Sequence, residues 1–102
     1  MKLTVSQAAY CLTGREISGP EGARQISAVR TDSRTLESGD LFVCLVGERF
    51  DGHDFAAQAA RLGAAALMVS RATDASCPRI QVPDTLAGLV LFVRWRLHVA
   101  TQ

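Results

Sequence analysis

Leu41-Phe42-Val43-Cys44-Leu45-Val46 is an unbroken apolar run, closed by Gly47. Its lack of alternation fits a strand covered on both faces, as in the middle of a parallel sheet. A second such run covers residues 64–69. Between the two, Phe55, Ala59 and Leu62 recur at helical spacing and mark one face of a helix, which Gly63 stops. Strand, helix and strand in that order assemble most simply as a right-handed βαβ unit. The expected fold class is α/β, a single small three-layer domain with a mostly parallel or mixed sheet. A length of 102 residues suffices for one such core.

The flanking segments carry their own signals. Thr4 and Gln7 have the spacing of a capping box, with Val5, Ala8, Ala9 and Leu12 following at helical spacing until Gly14. Residues 15–18 read as a brief strand, and Gly19-Pro20-Glu21-Gly22 as a turn. Residues 25–30 read as one strand, and Ser38-Gly39-Asp40 as the turn before the central run. Residues 71–78 are polar and loop-like. Ile80-Gln81-Val82 is a short strand stopped by Pro83. Asp84 is placed to cap a last helix. Leu86, Leu89, Val90, Val93 and Leu97 are assigned to its inner stripe, and Leu91, Phe92, Trp95 and Val99 form a second apolar stripe. A surface helix needs only one. Either the domain covers both, or one meets a partner.

A net charge of +1 gives no basic field for nucleic acid or an anionic membrane. No apolar run is long enough to span a bilayer, and Met1-Lys2-Leu3-Thr4 lacks the apolar core of a signal peptide. Cys11, Cys44 and Cys77 are odd in number and far apart, which suits reduced thiols in a cytoplasmic protein. Cys44, inside an apolar strand, is read as packing. Two histidines and scattered cysteines argue against a metal site.

The chemistry gathers in two loops. Thr31-Asp32-Ser33-Arg34 follows one strand, and Gly47-Glu48-Arg49-Phe50-Asp51-Gly52-His53-Asp54 follows the other. If the strands are parallel, both loops line one crevice at the carboxyl edge of the sheet, where open α/β sheets bind ligands. Thr31 and Ser33 offer hydroxyls, while Arg34 and Arg49 offer charged forks that match phosphate oxygens. Glu48 can accept from a sugar or base N–H, and Phe50 can lie against a planar base or close the loop over the core. The candidate substrate-binding residues are thus Thr31, Ser33, Arg34, Glu48, Arg49 and Phe50. Arg34 has a second reading, pairing with Asp32 or Asp40. Asp32 reads as a turn-former. Asp51 and Asp54 read as serving a helix N-terminus, with Asp54 as its cap. His53 reads as a hydrogen-bonded structural histidine, because no serine stands at nucleophile spacing. No catalytic residue is assigned. The chain contains no Gly-x-x-x-x-Gly-Lys-Ser/Thr loop, no Gly-x-Gly-x-x-Gly fingerprint and no Gly-x-Ser-x-Gly elbow, so its residues describe a binder.

Thr31-Asp32-Ser33-Arg34, then Ser38-Gly39-Asp40-Leu41-Phe42-Val43, then residues 47–55, then Ala59 with Gly63-Ala64, resemble in order and spacing the N-terminal domain of the Mur ligases of peptidoglycan synthesis. The resemblance implies a domain over residues 1–102 that holds the UDP end of a UDP-muramyl peptide. It implies contact from Thr31 and Ser33 on one side and Glu48, Arg49 and Phe50 on the other. Asp32, Gly52 and His53 match positions taken as structural. The Glu48-Arg49-Phe50 form of the loop points to the branch that adds the D-alanyl-D-alanine dipeptide. The branch that adds the third peptide residue is the alternative, and a docking module acting through the last helix is the alternative of another class. The resemblance further implies ATP and Mg2+ in the parent enzyme, used to form an acyl phosphate. Both would be held by domains absent from these residues, so the fragment by itself would not be catalytic. A monomer without nucleic-acid or membrane partners is expected.

Overall fold

The computed structural model describes residues 3–100, with side chains described as far as residue 98. Among these, the chain forms β1 (Leu3–Thr4), α1 (Val5–Thr13), α2 (Gly19–Gly22), β2 (Gln25–Ile26), β3 (Val29–Arg30), β4 (Leu41–Val43), α3 (Ala56–Arg61), β5 (Ala66–Val69), β6 (Arg79–Gln81) and α4 (Thr85–Ala100). Short 3-10 turns occupy Ser33–Thr35 and Gly52–Phe55. The main sheet has the order β3-β4-β5-β6, and every pair in it is parallel. β1 and β2 form a small antiparallel pair beside it.

The two apolar runs do become the buried centre of the sheet. Leu41, Phe42, Val43, Cys44, Ala66, Leu67 and Met68 are fully buried. Their side chains divide by strand periodicity. Leu41, Val43, Ala66 and Met68 join Val5, Ala8, Ala9, Ile80 and Phe92 on the face covered by α1 and α4. Phe42, Cys44, Leu67 and Val69 join Ala56 and Ala59 on the face covered by α3. Burying each large apolar side chain contributes roughly 1.5–3 kcal/mol. Gly88 lets α4 lie close on β5: a Cβ there would stand 2.8 Å from Met68 Sδ.

Local signals behave as expected at several ends. Thr4 and Gln7 form the reciprocal capping box, and Gly14 ends α1 at φ +76°. Asp84 Oδ1 accepts the backbone N–H groups of Leu86 and Ala87.

Several expectations are corrected. The strand of the central run stops at Val43. Val46 is 60% exposed and belongs to a hairpin instead. Residues 15–18 form no strand. Ser6 Oγ accepts the Ile17 N–H there, and the turn after it is the helical α2. Residues 25–30 are two strands, because Ser27 and Ala28 break the run as the chain passes from one sheet to the other. Asp51, not Asp54, caps the turn before α3, through an acceptor bond from the His53 N–H. The inner face of α3 is Ala56 and Ala59; Phe55 and Leu62 are 36% and 44% exposed. Of the stripe assigned inward on α4 only Leu89 keeps that place, and of the second stripe Phe92 and Trp95 turn inward instead. Phe92 is buried, and Leu89 and Trp95 pack against the core, whereas Leu86, Val90, Val93 and Leu97 face outward with Leu91. Both stripes are apolar, so the helix alone does not choose; the core takes the aromatic one. Val99 lies outside the residues whose side chains are described, as do Met1 and Lys2.

Candidate functional site

β3 and β4 are adjacent and parallel, so the loops that follow them leave the sheet at the same edge. After β3, Asp32 Oδ1 accepts the Arg34 N–H at 2.9 Å and winds Ser33–Thr35 into a 3-10 turn. The same carboxylate takes a fork from Arg34, with Nε at 3.1 Å and Nη2 at 2.8 Å. That pair holds the Asp32 carboxyl down at about 2, chiefly through the side-chain hydrogen bond, and raises Arg34. Of the two carboxylates considered for Arg34, Asp32 is therefore its partner. Asp40 instead accepts from Arg30 Nε and from the Glu37 N–H. Paired with Asp32, Arg34 has its charge largely offset, and the remaining N–H groups of its fork are the donors it can still offer.

After β4, the chain doubles back as a tight hairpin. The Gly52 N–H donates to Leu45 O and the Gly47 N–H to Phe50 O, each at 2.7 Å, with Val46 bridged to Asp51. Glu48 and Arg49 form the exposed tip. Gly52 permits the fold-back: a Cβ there would lie 2.8 Å from both Cys44 Cα and Leu45 N. Phe50, at the foot of the tip, stacks on Phe55 with ring centroids 5.7 Å apart and planes 19° from parallel.

The two loops enclose one cavity of about 410 Å³, lined by Thr31, Asp32, Ser33, Arg34, Phe50 and Phe55. That volume is in the range of small-molecule sites. Ser33 is buried in its wall, at 7% exposure. The structure thus brings Thr31, Ser33, Arg34 and Phe50 together. It places Glu48 and Arg49 at the hairpin tip, outside the lining. Phe55, read in the sequence as part of a helix face, instead joins the cavity lining by stacking on Phe50, and its helical spacing hid that role.

His53 is held from both sides. Its Nδ1 stands 2.7 Å from Asp51 Oδ1, and its Nε2 accepts the Ser70 N–H at 2.9 Å. The Ser70 hydroxyl is 3.5 Å from the same nitrogen. A serine does therefore lie near His53, which sequence spacing did not show because Ser70 comes from the end of β5. The amide already occupies the Nε2 lone pair, so the ring is not free to activate that hydroxyl. Arg71 Nη2 donates to Asp51 Oδ2 at 2.8 Å and, with His53, keeps the Asp51 carboxyl far below the usual range. Burial pushes the Cys44 thiol up to about 12, which suits inert packing.

The model for the Mur ligase family, catalytic domain, matches residues 25–91. The chain belongs to the Mur ligase family. The matched residues include both loops of the cavity and, despite the model's description, no phosphate loop. The UDP-N-acetylmuramoyl-tripeptide--D-alanyl-D-alanine ligase of Escherichia coli is 44% identical over 95 residues, which is 93% of this chain and 20% of that protein. The UDP-N-acetylmuramoyl-L-alanyl-D-glutamate--2,6-diaminopimelate ligase of Bacillus cereus is 40% identical over 72 residues, 71% of this chain and 15% of that protein. A crystal structure of MurF from Acinetobacter baumannii superposes with a TM-score of 0.72 at 33% identity, covering 89% of this chain and 20% of that one. This Mur ligase chain therefore spans about a fifth, or less, of the length of these relatives.

Proposed function

We propose that these residues are the domain of a peptidoglycan-precursor ligase that holds the UDP end of a UDP-muramyl peptide. The observation that carries the proposal is the convergence of residues 31–34 and Phe50 on one cavity at the carboxyl edge of a parallel sheet. Thr31, Ser33 and the free side of the Arg34 fork supply hydrogen bonds for ribose and phosphate oxygens. The stacked Phe50 and Phe55 supply a flat apolar wall for a base. Glu48 and Arg49 reach the ligand from the tip of the hairpin.

In the parent enzyme the reaction is the ATP-dependent joining of D-alanyl-D-alanine to UDP-MurNAc-tripeptide, in the cytoplasm. The identity to the Escherichia coli ligase over 93% of the chain favours this over addition of the third residue. We assign ATP and Mg2+ to the parent enzyme; this sequence has no phosphate loop, and among the described residues no cluster of His, Cys, Asp or Glu could hold a metal. Both are assigned to further domains of the parent. The outward row Leu86, Val90, Val93 and Leu97 on α4 is where such a neighbour would pack, and it also supports the second reading, a docking module. Among the described residues, no helix is long and apolar enough to cross a membrane.

Titration of the labelled chain with UDP tests the reading. Amide shifts confined to residues 31–34 and 48–55 are expected, with Ser33→Ala weakening them. Shifts absent from both segments reject it, and self-association lost on Val90→Glu would favour docking.

A further inference from the structure

Resting on that reading, we propose that His53 is a positioning residue, which fixes Phe50 over the cavity by tying Asp51 to the end of β5. The hairpin over residues 45–52 projects beyond the sheet, and a two-stranded ribbon of that size does not hold its own angle in water. Its entry end is fixed, because the buried Cys44 donates its N–H to Met68 O at 2.9 Å. Its exit end is Asp51, the residue directly after Phe50. Three bonds converge on that carboxylate, from the His53 N–H, His53 Nδ1 and Arg71 Nη2. Two of the three donor groups belong to His53, whose ring is 0% exposed and is itself anchored by the Ser70 N–H.

The bonds also fix the ring's proton. Nε2 accepts from an amide, so the ring hydrogen is on Nδ1 and is donated to Asp51. With both nitrogens committed, the imidazole cannot rotate without losing a bond at each end. Phe55, two residues beyond, is the ring on which Phe50 stacks. One side chain therefore sets the foot of the hairpin and the place of both aromatic walls. The serine, histidine and aspartate assembled here form a brace. The 2.9 Å amide contact, against 3.5 Å for the hydroxyl, decides that.

The test compares the chain with its His53→Asn and His53→Gln variants, read by Phe50 and Phe55 ring-proton shifts without ligand and by UDP affinity. Asn keeps a donor for Asp51 but falls short of Ser70, whereas Gln reaches the Ser70 N–H with its carbonyl. In His53→Asn the ring-proton shifts are expected to collapse toward free phenylalanine values while the amides of β4, β5 and β6 stay in place. UDP binding is expected to weaken about tenfold, the scale of one lost hydrogen bond. His53→Gln, which regains the Ser70 bond but gives up the donor to Asp51, is expected to lose as much, because the tie needs both ends. Unmoved ring shifts in a folded His53→Asn or His53→Gln overturn the proposal. If His53→Asn does not fold, Asp51→Ala, which removes the other end of the tie, decides: ring shifts unchanged there overturn the proposal. Should UDP not bind the parent chain at all, the nucleotide reading fails while the ring shifts still report on the brace.

Discussion

Ser70 gives its backbone N–H to His53 Nε2 at 2.9 Å and leaves its hydroxyl 3.5 Å from that atom. The amide, fixed by the end of β5, makes the structural bond, and the hydroxyl is secondary. Ser70→Ala is therefore expected to change thermal stability by less than about 0.5 kcal/mol. His53→Ala removes a buried ring and strands both partners, and is expected to cost about 2–4 kcal/mol. Denaturant melts of the two variants check the contrast.

Asp32 provides a pH dependence with a definite sign. Its carboxyl sits at about 2 in the folded chain against an ordinary 3.8, so the folded state favours the charged form. The stability it contributes is present above pH 4 and is lost as pH falls through the folded value near 2. Asp51 acts in the same direction and titrates lower still. Carboxyl carbon NMR should show Asp32 titrating near 2, and Arg34→Gln should return it toward 3.8.

The faces of α4 separate core from surface. Phe92 is fully buried and packs against Trp95, with ring centroids 5.7 Å apart. Phe92→Ala is expected to cost about 3–5 kcal/mol. Val90, 51% exposed on the outward row, is expected to accept Gln within about 0.5 kcal/mol in this chain. Paired urea titrations measure both, and the reverse ranking would restore the original assignment of the stripes.

Thr85 joins the start of α4 to the end of β4. Its buried hydroxyl donates to Cys44 O at 2.8 Å, directly beneath the hairpin. Thr85→Val keeps the shape and strands that carbonyl, at an expected cost of about 1–3 kcal/mol. Faster exchange of the amides of Leu45 and Gly52, in addition to a lower midpoint, would show that the bond also steadies the hairpin.

The amino-acid sequence alone determined what is encoded within a few residues. The Thr4 and Gln7 box, the Asp84 cap, the stop at Gly14 and the two fully apolar strands all follow from steric and hydrogen-bonding preferences of neighbours along the chain. Both loops that line the cavity were legible for the same reason: each carries its polar residues directly after a strand. Tertiary structure decided the rest. Which apolar stripe of α4 turns inward depends on the space left by β5 and α1, and the helix itself holds no preference. That Asp51 is also held by Arg71, twenty positions away, follows only from the fold. The partners of His53 and Thr85 lie seventeen and forty-one positions away in sequence, and only folding brings such atoms within bonding distance.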